Sequence, residues 1–210
     1  MSILVEIGEA LEKGKRKLVL EYVQKALDEG IAPQTILTEG LLPGMDRVGV
    51  KFRDNEIFVP EVLVAARAMN AGSELLKPLM ADGNSISLGT AIIGTVKGDL
   101  HDIGKNLVKM MIEGKGINVI DLGVDVEPEA FVKAAIENNA GVICCSALLT
   151  TTMPVMAEVV KAVKAAGVNA KVMVGGAPIT QEFADSIGAD CYTADAASAA
   201  IKAAELLSAN

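Results

Sequence analysis

The sequence holds little of what most metal and catalytic sites are built from. Its 210 residues include no tryptophan, one histidine and three cysteines, and aromatic residues make up only 3%. Hydrophobic residues reach 51%, so the core must be aliphatic. His101 stands alone, and Cys144, Cys145 and Cys191 follow neither metal-ligand nor disulfide spacing. A conventional zinc or iron site is therefore excluded.

The charge balance and the hydropathy exclude further classes of protein. The formal net charge is −8, whereas nucleic-acid binding needs a basic surface. No apolar run reaches the roughly 20 residues that span a bilayer. The N-terminus mixes charged residues with its apolar ones, unlike a secretory signal. Because cysteine is also scarce, we expect a cytoplasmic protein that binds neither nucleic acid nor membrane.

The first 81 residues have the spacing of helices. Apolar residues recur there at intervals of three and four, which predicts a four-helix bundle. Gly30 is expected to end one helix and Pro33 to open the next. The segment ADGNSIS, residues 81–87, is rich in glycine, asparagine and serine. It predicts a linker, placed at residues 82–88, that can act as a hinge.

Residues 89–210 have a different pattern of apolar residues. Apolar runs alternate with helical stretches that begin near Gly104, Pro128, Pro154 and Ile179. Alternating strands and helices predict an α/β domain of the flavodoxin-like (Rossmann-like) type, with five parallel strands covered on both faces. Such sheets bind ligands at the carboxyl ends of their strands.

Polar and small residues gather where three of the predicted strands end. Taken singly, each has an ordinary explanation in helix capping, tight turns or loop chemistry. Their coincidence at one edge of a sheet is the stronger signal. The loop after the first strand holds Asp99, His101, Asp102 and Gly104. The third strand is predicted to end in Ser146, Ala147 and Leu148, followed by Thr150, Thr151 and Thr152, and the fourth to end in Gly175 and Gly176.

The lone histidine has a chemical use that needs no other ligand in the chain. A neutral imidazole nitrogen binds a transition metal, and a carboxylate on the other nitrogen fixes the tautomer. Asp99 is two residues away and could supply that carboxylate. One imidazole cannot hold a bare metal ion, but it can be an axial ligand to a metal already held in a macrocycle.

These residues match a known pattern. The segment from Gly98 to Gly104 fits the D-x-H-x-x-G signature of cobalamin-binding domains, and Ser146 to Leu148 and Gly175–Gly176 fit its companion S-x-L and G-G elements. The helical half, with LLPGMDRVGVKF and EIFVPEVLVAARAM, is similar to the cap of cobalamin-dependent methionine synthase. The chain thus resembles the corrinoid proteins of methyltransferase systems over residues 5–205.

The resemblance implies a role for each matching residue. His101 would be the lower axial ligand of cobalt, Asp99 would hydrogen-bond its imidazole, and Thr152 would complete the relay where methionine synthase has a serine. Phe52 and Val59 would form the apolar cap over the methyl face. The remaining cofactor-binding positions would be Asp102, Ile103, Gly104, Ser146, Leu148, Thr150, Gly175, Gly176 and Tyr192.

The function implied is that of a methyl carrier in one-carbon metabolism. Cob(I)alamin on this chain would take a methyl group from a substrate-specific methyltransferase, and methylcob(III)alamin would pass it to a second methyltransferase acting on tetrahydrofolate, another tetrahydropterin or a thiol. The donor would be a methylamine, betaine, methanol or aromatic methyl ether, and a reductive activator is a possible third partner. The length leaves no room for a substrate-binding barrel of about 250 residues, so the chain would be a non-autonomous subunit.

Three other functions use similar parts. A cobalamin-based regulator or sensor would carry tryptophan, a second histidine and a DNA-binding module, none of which is present in the sequence. A coenzyme-binding subunit of a radical mutase shares the histidine motif but usually lacks this bundle. A response-regulator receiver would need an aspartate at Ser146 and is rejected.

Overall fold

The computed structural model describes residues 2–80 and 88–209. The helical residues up to Met80 form one compact unit, and most of the chain from Leu88 onward forms a second. Each unit is described by itself. Apart from Leu88, the predicted linker and hinge at 82–88 lie outside the described residues. The domain boundaries and the hinge therefore stay predictions.

The first unit contains four helical rods within residues 2–80. A π-helical turn, Ile36–Leu41, joins α3 to α4 without a break, so that residues 33–53 are one rod. The 3₁₀ turn Lys77–Met80 follows the last helix. The helices are α1 (Ile3–Glu12), α2 (Arg16–Asp28), α3 (Pro33–Thr35), α4 (Leu42–Arg53) and α5 (Val59–Leu76).

The ends of these helices follow from local chemistry. Gly30, at φ 78°, closes α2 in the left-handed conformation that glycine adopts without strain. Pro33 opens α3 at its first turn. Gly40, in the π-helical turn, packs against α1, because a Cβ there would lie 3.3 Å from Cγ2 of Ile7. The interior of this unit is aliphatic and methionine-containing, with Leu11, Val19, Val23, Ile36, Leu41, Met45, Val48, Val62, Met69 and Leu76 buried.

The second unit is an open sheet with helices on both faces. Its five strands are parallel and lie in the order β2-β1-β3-β4-β5, which confirms the predicted flavodoxin-like class. The strands are β1 (Thr90–Thr95), β2 (Asn118–Asp121), β3 (Val142–Ser146), β4 (Lys171–Gly175) and β5 (Cys191–Tyr192). The helices are α6 (Ile103–Glu113), α7 (Pro128–Glu137), α8 (Met153–Ala165), α9 (Gln181–Ile187) and α10 (Ala196–Ser208).

The strand order brings two loops together. α6 packs with α10, and α7 packs with α8. The order of the strands reverses between β1 and β3, so the loops that leave these two strands lie side by side. This is the position where doubly wound sheets bind ligands.

The helix predicted to begin near Gly104 is α6, which begins at Ile103. One detail differs from expectation. The third strand was expected to run to Leu148, but β3 ends at Ser146. The physical reason for the early end is that the amides of Leu148 and Leu149 donate to the Asp99 carboxylate instead of continuing a strand.

None of the helices within residues 2–80 and 88–209 combines the length and hydropathy that crossing a bilayer requires.

Candidate functional site

The Asp99 carboxylate is the centre of the loops at the strand-order reversal. Its side chain is completely buried. Its Oδ1 accepts hydrogen bonds from the backbone N–H of His101 at 3.1 Å and from Nδ1 of the same residue at 2.7 Å. Its Oδ2 accepts from the backbone N–H groups of Leu148 at 2.8 Å and Leu149 at 3.2 Å. The hydroxyl of Thr152 donates to the same oxygen at 2.8 Å.

These donors fix the charge of the carboxylate and the tautomer of the imidazole. Burial alone raises the pKa of Asp99, but the hydrogen bonds from the Leu148 amide, His101 and Thr152 outweigh it and hold that pKa well below its usual range. An ionised carboxylate only accepts, so Nδ1 of His101 carries the proton of that bond. In the neutral imidazole the lone pair is then on Nε2.

The His101 ring is held on one side only. Its side chain is 51% exposed, whereas that of Asp99 is 0% exposed. Within the described residues Nε2 has no hydrogen-bond partner. The arrangement therefore presents one oriented, half-exposed nitrogen lone pair, which is what an axial metal ligand requires.

Thr95 also holds the loop that carries Asp99 and His101 (residues 96–102, called the ligand loop). The sequence analysis missed this residue. It ends β1 and is completely buried. Its hydroxyl donates to the backbone carbonyl of His101 at 2.8 Å. The side chain thus ties the end of the strand to the residue that carries the imidazole. A buried threonine at a strand end has no sequence signal that separates it from an ordinary β-branched strand residue.

A second polar network holds the start of α6. Nζ of the buried Lys105 donates to both oxygens of Asp121, at 2.7 and 2.8 Å, and to Oδ1 of Asn106 at 2.8 Å. The Asn106 amide in turn donates to Asp102 at 3.0 Å. Burial raises the pKa of Asp121, but the Lys105 ammonium outweighs it and the pKa is lowered. Asp102 thus precedes α6 and binds the Asn106 side chain in the first turn of that helix.

Exposed aliphatic side chains lie in or next to the two loops that meet at Asp99. Leu100 is 71% exposed and Ile103 is 81% exposed, and Leu148 and Leu149 are exposed as well. Ile103 and Leu148 were predicted site residues, whereas Leu100 and Leu149 were not. A group of exposed aliphatic side chains near one polar nitrogen fits a large ligand with an apolar face.

The glycines of the site have different physical requirements. A Cβ on Gly176, at φ 136°, would lie 1.8 Å from the carbonyl oxygen of Ala147, so the backbone of the neighbouring loop excludes any side chain. On Gly175 the nearest atom, the Thr193 carbonyl oxygen, would be 3.5 Å away. On Gly104 a Cβ would meet nothing within 4 Å. No described atom requires glycine at this helical position, where glycine is intrinsically unfavourable.

The other predicted residues are spread along the same edge of the sheet. Ser146 ends β3, is half-buried, and its carbonyl accepts from the Val96 amide at 3.0 Å. Thr150 is exposed, unlike Thr152. Tyr192 lies in β5, half-buried against the core.

The two predicted cap residues belong to the helical unit. Phe52 is half-buried near the end of α4, and Val59 is exposed at the first position of α5. Phe58, which the sequence analysis did not select, precedes α5 and is 65% exposed. Its backbone N–H donates to the Glu61 side chain at 3.0 Å, which fixes the start of that helix.

Two of the three cysteines lie inside the central strand of the sheet. Cys144 and Cys145 are buried in β3, as expected from their apolar surroundings. Burial raises the pKa of Cys144 to about 12 and raises that of Cys145 as well. Such thiols stay protonated and unreactive.

Comparison with known proteins gives a consistent result over both units. Two family models match, each described as a B12 binding domain, over residues 3–77 and 89–204. The chain is 47% identical over 208 residues to a dimethylamine corrinoid protein from Methanosarcina acetivorans, covering 98% of this chain and 97% of the relative.

Solved structures agree. A crystal structure of the methanol:cobalamin methyltransferase complex from Methanosarcina barkeri matches with a TM-score of 0.89 and 30% identity, over 99% of this chain and 80% of that one. A cobalamin-binding protein from Desulfitobacterium hafniense matches with a TM-score of 0.81 and 30% identity, over 97% of this chain and 98% of that one.

The residues present fit a cobalamin. His101 offers a single imidazole nitrogen, exposed aliphatic side chains lie in or next to the same loops, and a Cβ on Gly104 would meet nothing within 4 Å. These features suit a metal whose other ligands come from a large macrocycle. The chain belongs to the B12-binding corrinoid proteins of methyltransferase systems, and its cofactor is cobalamin.

Proposed function

We propose that this chain is a methyl carrier that works between two methyltransferases. Cobalamin supplies the chemistry, since its cobalt accepts a methyl group in the cob(I) state and releases it from the methylcob(III) state. The chain supplies ligation, orientation and a dry surface. The observation that carries this proposal is the half-exposed Nε2 of His101, oriented by the buried Asp99 carboxylate.

Asp99 and Thr152 would hold the ligand through hydrogen bonds. Because Nδ1 of His101 donates to the Asp99 carboxylate at 2.7 Å, the neutral imidazole would present its Nε2 lone pair to cobalt. Thr152 keeps the carboxylate in place by donating to its other oxygen. We infer that this relay lets His101 bind and leave cobalt in step with the oxidation state.

The remaining site residues would form the walls of the cofactor site. We propose that the lower face of the corrin lies over the aliphatic residues around His101 and that the nucleotide tail enters between the loops after β3, β4 and β5. The positions proposed for these contacts are Asp102, Ile103, Gly104, Ser146, Leu148, Thr150, Gly175, Gly176 and Tyr192. Phe52 and Val59 are proposed to cover the methyl face.

The methyl donor is proposed to be a methylamine. The 47% identity to a dimethylamine corrinoid protein, against 30% to a chain of the methanol complex, supports dimethylamine over methanol. The donor-side partner would then be a dimethylamine methyltransferase. A second methyltransferase acting on a tetrahydropterin or a thiol, and a reductive activator, are proposed to complete the system in the cytoplasm.

The ligand assignment is tested with isotope-labelled histidine. Because His101 is the only histidine in the sequence, labelling its nitrogens marks one side chain. In the Co(II) state, the electron paramagnetic resonance (EPR) spectrum should show splitting by an axial nitrogen that changes on labelling. His101→Ala should lose this splitting, and added imidazole should restore an unlabelled version of it. Lys133→Ala, on the exposed surface of α7, is the control that should match the parent. Splitting unaffected by the label would refute the assignment.

The carrier role is tested with reduced, cobalamin-loaded chain. The chain alone should not demethylate dimethylamine, and addition of a dimethylamine methyltransferase should methylate the bound cobalt. Demethylation by the isolated chain would overturn the carrier role. Faster methylation with methanol and its own methyltransferase would overturn the proposed donor.

A further inference from the structure

The Asp99–His101 loop is held from a second direction, by the segment between β2 and α7. This segment extends the sheet beyond its regular strands: Thr95 N–H donates to the Gly123 carbonyl, and Val126 N–H donates to the Thr95 carbonyl, both at 3.0 Å. Asp125 lies between Gly123 and Val126 in this segment. The sequence analysis did not select Asp125, and the resemblance assigns it no role.

Asp125 binds the ligand loop at two points. Its Oδ1 accepts from the backbone N–H of Gly98 at 2.7 Å. Its own backbone N–H donates to the carbonyl of Asp99 at 3.0 Å. One residue therefore fixes both the amide before Asp99 and the carbonyl of Asp99, while the side chain of Asp99 is held by the loop after β3.

The turn that carries Asp99 depends on these bonds. The Asp99 N–H donates to the Val96 carbonyl at 3.1 Å and closes a four-residue turn, with Gly98 at φ 80° in its third position. A positive φ at that position is typical of a type II turn, whose own hydrogen bond joins the first and fourth residues and does not use the amide of the third. The Gly98 amide then needs an acceptor elsewhere, and Asp125 provides it.

The conformation of Asp125 restricts which residues can do this. Its φ is 56°, in the left-handed region that only glycine, asparagine and aspartate adopt readily. Asparagine keeps both this conformation and an acceptor oxygen. Glycine keeps the conformation but has no acceptor.

We propose that Asp125 is a positioning residue for the cobalt ligand. It sets the backbone of Gly98 and Asp99, so that the carboxylate meets Nδ1 of His101 and the Nε2 lone pair points at the metal. The proposal rests on the proposed ligation by His101 and adds to it a residue that contacts neither the imidazole nor the metal-binding nitrogen.

The test compares Asp125→Gly with Asp125→Asn. Both variants remove the charge, so the difference between them reports the acceptor oxygen. Histidine ligation stabilises Co(II) over Co(I), which has no axial ligand, so weaker ligation raises the Co(II)/Co(I) midpoint potential. A net hydrogen bond is worth about threefold to tenfold in an equilibrium constant. We expect the potential of Asp125→Gly to lie about 28 to 59 mV above that of Asp125→Asn.

The matched controls are Asp190→Gly and Asp190→Asn. Asp190 also accepts a backbone amide, that of Val172 at 2.8 Å, but at the amino edge of the sheet. These two variants should differ in the free energy of unfolding and not in potential. A general destabilisation of the fold would give a Gly–Asn difference in midpoint potential at both Asp125 and Asp190. A positioning role of Asp125 gives that difference only at Asp125.

The outcomes separate this proposal from the proposed function. If the parent shows histidine-derived EPR splitting and Asp125→Gly has the same potential as Asp125→Asn, Asp125 has no positioning role. If the parent itself lacks that splitting, the ligation by His101 is wrong and the Asp125 proposal falls with it.

Discussion

Two aspartates at opposite edges of the same sheet do similar chemistry with different results. Asp190, at the amino edge, accepts the Val172 amide and pairs with Lys171 at 3.2 Å, and its side chain is 30% exposed. Asp99, at the carboxyl edge, accepts three backbone amides, one hydroxyl and one imidazole, and its side chain is 0% exposed. Both carboxylates tie loops to strands.

The two aspartates differ in the groups that their hydrogen bonds orient. The bonds of Asp190 end at groups with no further function. Those of Asp99 orient an imidazole whose second nitrogen stays available. A well-bonded buried carboxylate is therefore not a site by itself. A buried carboxylate becomes part of a site when a side chain that it hydrogen-bonds stays half-exposed and keeps an oriented lone pair.

The largest difference between the two edges of the sheet is expected when their glycines are replaced by alanine. In Gly176→Ala, at the carboxyl edge, the new Cβ would lie 1.8 Å from the Ala147 carbonyl oxygen. Backbone cannot move aside easily, so we expect a loss of about 4 kcal/mol or more in the free energy of unfolding, measured by urea denaturation.

The control is Gly188→Ala, close to Asp190. Gly188 also has a positive φ, 67°, but its Cβ would meet only the flexible end of Lys164. We expect a loss of about 1–2 kcal/mol. Equal losses in the two variants would show that the Ala147 contact is not what requires Gly176.

Asparagine at the two aspartates should give the next largest difference. Both oxygens of Asp99 accept hydrogen bonds, so either orientation of an amide places its NH₂ against donors. We expect Asp99→Asn to lose about 2–4 kcal/mol of unfolding free energy. In Asp190→Asn the amide oxygen can still accept from Val172, so only the partly exposed pair with Lys171 is lost, which is worth less than about 1 kcal/mol.

The loss at Asp99 should also depend on pH. The pKa of Asp99 is lowered in the folded chain, so its stabilising contribution is complete above the unfolded value of about 3.9 and disappears as the pH falls through and below it. The difference in unfolding free energy between the parent and Asp99→Asn should therefore shrink from about pH 5 to about pH 3. A difference that grows over that range would contradict the ionised state of Asp99.

Among the residues at the carboxyl edge, Thr152 should show the smallest effect on the free energy of unfolding. Its hydroxyl lies 2.8 Å from Asp99 Oδ2 and 2.9 Å from the Leu149 carbonyl. Thr152→Val removes the hydroxyl at nearly constant shape, and we expect a loss of about 1–2 kcal/mol. Thr152→Ser keeps it and should lose less than about 1 kcal/mol. Urea denaturation of the apoprotein checks both, and a valine variant as stable as the serine variant would show that the hydroxyl contributes nothing.

The helices and strands that follow from a periodic spacing of apolar residues were predictable from the sequence. Apolar spacing predicted four helical rods and a parallel sheet, and turn residues such as Gly30 and Pro33 predicted helix ends to within a few residues. The π-helical turn at Ile36–Leu41 was not predictable, since one extra residue hardly changes the apolar spacing. The end of β3 at Ser146 was missed because it depends on a carboxylate 49 residues away from Leu148.

The amino-acid sequence by itself determined the class of fold, the single histidine and the aspartate two residues before it, because periodicity and local spacing are properties of a linear chain. Only the tertiary structure decided that Thr152 reaches Asp99, that Thr95 and Asp125 hold the loop, and that Ala147 excludes a side chain at Gly176. Except for the contact of Thr95, which lies within β1 and its own loop, these contacts join loops that follow different strands. Thr152 reaches Asp99 at the reversal of strand order between β1 and β3, and the other contacts form because neighbouring parallel strands end at the same edge of the sheet.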